Sequence, residues 1–204
     1  LDVASAAANR ALDVAVVENG PLGGTCLNRG CIPSKMLIHH ADVAEEIQTA
    51  ERFGIHAEVD DIDFSTIVRE VNAKVAESSE NTERGLRNSD RHTLFRTNAE
   101  FVDERTLEVD DERITAEKVV VAAGSRPVVP PIEGLDSVSY LTSKEALELE
   151  NQPDHLIVIG GGYIAAELGH FYGSLGTDIT IIGREDDLLP NEDVDIRETV
   201  TDVF

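Results

Sequence analysis

Five residues rich in apolar side chains, His155–Ile159, run directly into Gly160-Gly161-Gly162-Tyr163-Ile164-Ala165; a stretch bearing Ala and Gly to Leu175 then leads to a β-branched run, Asp178–Ile182. This order of strand, glycine turn, helix and strand constrains the chain more than any other feature. Two parallel strands need a long crossover, and a helix is the usual way to make one. The expected fold is therefore α/β, with Rossmann-like units built on parallel strands. Within the turn, Gly160 permits a tight reversal, Gly162 lets a ligand approach the backbone, and Ala165 allows close helix packing. Together they form a dinucleotide fingerprint with the pyrophosphate at the helix N-terminus. The competing reading is a tight turn that holds no ligand.

At the end of the second strand, a site for NAD usually carries an acid on the ribose 2′-hydroxyl. Here stand Gly183, Arg184 and Glu185. Arg184 suits a 2′-phosphate and favours NADP, with NAD as the alternative if Glu185 is the ribose acid; a solvated charge is the bland reading of Arg184.

The beginning of the chain has the same logic. Residues 1–12 are Ala-rich and read as a helix already under way, and Val14–Val17 is a short β-branched strand ending in Glu18. This is the helix and second strand of a βαβ unit whose first strand and glycine turn would precede Leu1. Glu18 then sits where an adenosine ribose acid belongs, or is one surface acid among many. Further on, residues 36–52 and 64–86 show helical spacing, and residues 93–109 and 113–121 read as strands and turns. Val119, Val120 and Val121 read as a buried strand entering the small-residue turn Ala122-Ala123-Gly124-Ser125, and a Pro-rich connection follows. A division near residue 150 is expected, with one domain over residues 1–150 and the start of a second over 151–204.

Asp and Glu number 40 against 17 Lys and Arg, a net charge of -23. Such a charge repels phosphate backbones and anionic membranes, and no apolar run reaches the roughly 18 residues of a membrane span. The cytoplasm is the expected compartment. Acids are spread along the chain, and only four of the basic residues are Lys, a pattern that suits a protein working in high salt, where screening relieves self-repulsion; a strongly acidic mesophilic protein is the alternative.

Two cysteines in a cytosolic chain disfavour a structural disulfide. Cys26 and Cys31 are separated by four residues, with Gly30 easing an approach and Pro33 fitting the first turn of a helix. Cys31 would sit at that helix's N-terminus, where the dipole favours a thiolate, the form that attacks disulfides. Redox chemistry and buried bystanders both remain open from spacing; a metal pair is disfavoured, since no nearby His or further Cys completes a tetrahedral set.

Residues 23–35, Gly-Gly-Thr-Cys-Leu-Asn-Arg-Gly-Cys-Ile-Pro-Ser-Lys, resemble the active-site segment of the glutathione-reductase-like flavoprotein disulfide reductases almost position for position. The likeness extends through residues 122–127 and 160–167, and within the family it is nearest to mycothione reductases, dihydrolipoamide dehydrogenases and mercuric reductases. The resemblance implies a Rossmann-like FAD-binding domain carrying an inserted NAD(P)-binding domain. It also implies that Cys31 makes the charge-transfer contact with the flavin, that Cys26 exchanges with a small disulfide substrate, and that Lys35 and its acidic partner Glu167 lie near the flavin's reactive nitrogen. Tyr163 matches a residue gating the nicotinamide pocket; the alternative is an aromatic packed on the sheet. FAD contacts are implied for Glu18, Gly23, Gly24, Thr25, Cys26, Lys35, Ala99, Ala123, Gly124 and Ser125. For the nicotinamide nucleotide they are implied for Gly160, Gly162, Tyr163, Ile164, Ala165, Glu167 and Arg184.

The family's interface domain, which supplies a His–Glu acid–base pair across a homodimer, has no counterpart here, and none of the six histidines takes that role. These residues alone are accordingly expected not to turn over. NADP-dependent members often carry a second Arg six positions after the first, where this chain has Pro190. Competing functions are the dihydrolipoamide dehydrogenase of a 2-oxoacid dehydrogenase complex and an electron-carrier flavoprotein without disulfide turnover.

Overall fold

The computed structural model describes all 204 residues, Leu1–Phe204. They form two compact units, one of Leu1–Asn28 with Lys74–Val128 and one of Arg29–Ala73 with Val129–Phe204.

In the first unit, helix α1 (Asp2–Ala8) precedes strand β1 (Val14–Val17), which pairs in parallel with β2 (His92–Phe95) from Val14 opposite His92 to Val17 opposite Phe95. The strand has the bounds its β-branched run implies. The helix expected over residues 1–12 instead stops at Ala8, and Ala11 adopts left-handed backbone at φ 60° as the chain turns into β1. Strands β3 (Ala99–Asp103), β4 (Thr106–Val109) and β5 (Glu112–Thr115) form an antiparallel meander. Residues 119–121 belong to no ladder, contrary to expectation, and Val120 and Val121 are 63% and 71% exposed. An extended apolar run becomes a strand only where a neighbour completes its backbone hydrogen bonds, and no strand of this chain pairs with it.

The second unit holds α3 (Cys31–Gln48), the first part of α4 (Phe64–Arg87), α5 (Ser143–Glu148), β6 (His155–Ile159), α6 (Tyr163–Ser174), β7 (Asp178–Ile182) and α7 (Val194–Val203). Strands β6 and β7 pair in parallel, His155 opposite Asp178 through Ile159 opposite Ile182, so the βαβ unit forms where the sequence places it. The core joins Leu37, Ala41 and Ala44 of α3, Phe64, Val68 and Val71 of α4, Ala146 and Leu147 of α5, and Leu168, Phe171 and Tyr172 of α6. On α3 and α4 these residues recur at i, i+4 and i+7, which gathers them on one face of each helix.

Phe64, Phe171 and Tyr172 form an aromatic trio with centroids 5.0, 5.3 and 5.5 Å apart, each pair worth about 0.5–1.5 kcal/mol beyond area burial. The Tyr172 hydroxyl donates to Ala146 O at 2.6 Å, and burial pushes the phenol up to about 12. At the start of α4, the Thr66 hydroxyl and backbone N–H donate to the Asp63 carboxylate at 2.6 and 2.9 Å and hold its carboxyl below the usual range. A Thr142–Glu145 capping box opens α5. No helix is long and apolar enough to cross a membrane.

Candidate functional site

The turn after β6 depends on glycine at Gly160, whose φ of +110° other residues rarely adopt, and its N–H donates to Ile182 O at 2.8 Å, tying the turn to the end of β7. Gly162 is the N-cap of α6; its backbone is extended, and nothing lies within 4 Å of where a Cβ would stand. The backbone there is open to a ligand, at the positive end of a 12-residue helix. Ala165 is buried, and a Cβ on Gly169 or Gly173 would come within 3.8 and 3.4 Å of Ile179, so small residues let α6 lie on β7. Tyr163 is 69% exposed and does not pack on the sheet, and Ile164 is also exposed. Arg184 and Glu185 are both exposed in the loop beyond β7. A Cβ on Gly183 would stand 3.0 Å from Glu185 O, so the chain folds back tightly there.

The cysteine segment opens with a loop fixed by hydrogen bonds. Asn28 Nδ2 lies 2.9 to 3.2 Å from the carbonyls of Gly24, Leu22 and Pro21, and the buried Ser79 hydroxyl donates to Leu22 O at 2.7 Å. Gly23, at φ +111°, would place a Cβ 2.2 Å from Leu27 Cδ2, so no other residue fits. Gly24 has φ +69° with open space beside it. At the end of β1, Glu18 Oε1 accepts from Gly20 N at 2.7 Å, while Arg96 donates to the carbonyls of Glu18 and Gly20 at 2.9 and 2.5 Å. These contacts of Asn28, Ser79 and Arg96 carried no signal in the sequence reading.

Thr25 and Cys26 lie on a short helix, α2 (Gly24–Arg29). Gly30 breaks it and caps α3, which begins at Cys31 itself. Both cysteines are exposed and neither is in a disulfide. Cys31 therefore occupies the first position of an 18-residue helix, at the end where backbone N–H groups lack intrahelical partners.

Lys35 follows Cys31 by one turn of α3, and its ammonium meets Glu167 Oε1 at 2.5 Å. Glu167 in turn follows Tyr163 by one turn of α6. A single ion pair thus lies roughly 6 Å along each helix axis from Cys31 and from Tyr163. Among the candidate residues this is the pair brought into direct contact, across 132 positions of sequence.

Cys31, Lys35, Gly160, Gly162, Tyr163, Ile164, Ala165, Glu167 and Arg184 all belong to the second unit. Glu18, Gly23, Gly24, Thr25, Cys26, Ala99, Ala123, Gly124 and Ser125 belong to the first. Ala99 opens β3, while Ala123, Gly124 at φ +77° and Ser125 lie in an exposed segment without regular structure. In the first unit, residues 24 and 124 present open, glycine-bearing backbone and Glu18 follows β1; in the second, Gly162 and Cys31 each stand at an exposed helix N-terminus.

All 204 residues match the family model described as pyridine nucleotide-disulphide oxidoreductase. Mycothione reductase from Mycobacterium tuberculosis (strain H37Rv) is 40% identical over 196 residues, covering 92% of this chain and 42% of that protein. Mercuric reductase from Bacillus cereus is 37% identical over 188 residues, 92% of this chain and 30% of that protein. Dihydrolipoyl dehydrogenase 2 from Haloarcula marismortui is 37% identical over 198 residues, 94% and 42% respectively. Among solved structures, the HOCl-induced flavoprotein disulfide reductase RclA from Escherichia coli superposes with a TM-score of 0.84 at 29% identity, over 99% of this chain and 43% of that one. The chain thus spans less than half the length of these relatives.

Proposed function

This chain belongs to the pyridine nucleotide-disulphide oxidoreductase family, and from that premise we propose that the whole protein passes electrons from NAD(P)H through FAD to the Cys26–Cys31 pair and on to a small disulfide. The observation that carries the reading is the Lys35–Glu167 ion pair, one helical turn from Cys31 on one side and one turn from Tyr163 on the other. FAD, when bound, supplies a two-electron relay between a hydride donor and sulfur. Gly160, Gly162 and Ala165 would hold the nicotinamide nucleotide at the N-terminus of α6, with the exposed Tyr163 as the residue that gates its pocket. Glu18, Gly23, Gly24, Thr25, Ala99, Ala123, Gly124 and Ser125 would hold FAD.

The sulfur chemistry is thiol–disulfide exchange. Two electrons and two protons convert the Cys26–Cys31 disulfide to two thiols. The Cys26 thiolate attacks one substrate sulfur, forming a mixed disulfide and expelling the other sulfur as the first product thiol. The Cys31 thiolate then attacks Cys26, which restores the pair's disulfide and frees the second product thiol. Lys35 keeps a positive charge one turn from Cys31, held in place by Glu167.

Arg184 supports NADP as the hydride donor, and Pro190, where a second Arg would stand, tempers that preference. The 40% identity to mycothione reductase supports a low-molecular-weight thiol disulfide as substrate. The 37% identity to a dihydrolipoyl dehydrogenase carries the second reading, in which the reaction runs toward NAD reduction. A cytoplasmic homodimer working in high salt completes the proposal, the salt being suggested by the net charge of -23.

The test is two-electron reduction of the full-length FAD protein. A long-wavelength band from the Cys31 thiolate against oxidised flavin is expected, and Cys31→Ser should abolish it with FAD still bound. A band that survives the substitution overturns the assignment. A panel of small disulfides, lipoamide and Hg(II), run with both nicotinamides, then separates the substrate readings.

A further inference from the structure

Helices α3 and α6 share a second set of polar contacts that the chemistry above leaves unused. His170 Nε2 lies 2.9 Å from Asp42 Oδ1, and His170 Nδ1 lies 3.2 Å from Ser174 Oγ and 3.6 Å from Glu45 Oε1. Ser174 Oγ donates to Glu45 Oε1 at 2.9 Å, and Gln48 Nε2 donates to Ser174 O at 3.4 Å. With Lys35 on Glu167, these contacts ascend together along both helices: 35 with 167, 42 with 170, 48 with 174. The helices therefore run in the same direction, with Cys31 and the glycine turn at their N-terminal ends. Lys35 and Asp42 are seven residues apart, as are Glu167 and Ser174, so each pair lies on one stripe of its helix.

The buried part of this helix pair is apolar: Leu37, Ala41 and Ala44 share a core with Leu168, Phe171 and Tyr172. Apolar contact is non-directional and fixes axial register weakly, whereas hydrogen bonds weaken steeply with distance and angle. A one-residue shift of α3, about 1.5 Å along its axis with about 100° of rotation, would turn Lys35 and Asp42 away from Glu167 and His170.

We propose that Asp42, Glu45, His170 and Ser174 are positioning residues that hold α3 in register with α6, and so keep Lys35 on Glu167 and Cys31 level with the nucleotide turn. The proposal rests on the disulfide reductase reading above.

The test uses the full-length FAD-loaded protein with His170→Phe, which keeps a ring and removes both nitrogens. Three properties are read: the charge-transfer band per bound flavin after two-electron reduction, kcat and KM for the nicotinamide nucleotide, and the melting temperature. The band should weaken by about threefold or more and kcat should fall about tenfold while KM stays within about twofold, as expected for ångström-scale misplacement of a reacting group. Asp42→Asn, whose amide oxygen still accepts from Nε2, should restore most of the band that Asp42→Leu loses. A merely structural role would lower the melting temperature and leave the band per flavin intact, and that result in His170→Phe overturns the proposal. If His170→Phe does not fold, the pair Ser174→Ala and Glu45→Gln decides by the same readings. A wild-type protein with no band overturns the disulfide reading and this proposal with it; a wild-type band unchanged in the variants overturns this proposal alone.

Discussion

Replacing Glu167 with Gln removes one charge from the Lys35 pair while preserving side-chain shape and an accepting oxygen. The Lys35 and Glu167 side chains are 61% and 29% exposed, so solvent screens the pair, and exposed ion pairs contribute about 0–1 kcal/mol to stability. The substitution should therefore lower the melting temperature of the full-length protein by no more than about 4 °C. Its effect on chemistry should be larger. On the proposed reading, in which Lys35 would stand beside the flavin, a hydrogen bond between charged groups that positions it would be worth about 1.5–3 kcal/mol, which is roughly ten- to hundredfold in the rate of flavin reduction. Rapid-mixing measurement of flavin bleaching by NAD(P)H, alongside thermal melts, separates the two effects. A melting temperature lowered by about 10 °C with an unchanged bleaching rate in the folded fraction would make the pair a structural strut and refute the reasoning.

In steady-state kinetics, Arg184→Ala should raise KM for NADPH about ten- to hundredfold relative to NADH, the loss of one charge-assisted contact to a 2′-phosphate; an unchanged ratio would move the ribose role to Glu185. Tyr172, with its phenol raised from 10.0 to about 12, contributes stability that is fully present below pH 10 and is lost as pH rises through 12, about 2–3 kcal/mol in all. Melts from pH 9 to 12 should show this loss, and Tyr172→Phe should remove that part of the pH dependence while costing about 1–3 kcal/mol for the Ala146 carbonyl left without its donor. With a net charge of -23, the midpoint of thermal unfolding should climb steadily from low to molar KCl, and a flat series would show that self-repulsion is not limiting.

Strands β1, β6 and β7 were legible to the residue because each is a short run rich in β-branched residues bounded by a glycine or charged turn. The run at residues 119–121 has the same character and forms no strand, since side-chain character is local whereas a ladder partner is supplied from elsewhere. Helix α2 was hidden for the opposite reason. No apolar periodicity marks residues 24–29; instead Gly23 admits the close approach of Leu27, and the Asn28 amide ties the preceding carbonyls to the helix. Polar side chains that bond to nearby carbonyls build such turns without any apolar periodicity to announce them.

The site divides along the same line. The turn at Gly160–Ala165 could be placed because its residues are contiguous between a strand and a helix, and the cysteine segment stood out because its 13 residues are contiguous as well. Lys35 and Glu167 are 132 positions apart, and only family resemblance paired them; Asp42 and His170, 128 apart, belong to no motif and were missed. A single sequence records which face of a helix is polar but not which residue of another helix lies opposite. The seven-residue recurrence of Lys35 with Asp42, and of Glu167 with Ser174, was nevertheless present, marking a polar stripe beside an apolar one on each helix. Two polar stripes bordering one apolar contact allow register to be set by directed bonds while stability comes from undirected burial. That separation permits α3, with the cysteine at its first position, to be aligned against α6 and its glycine turn without burdening the core with charge.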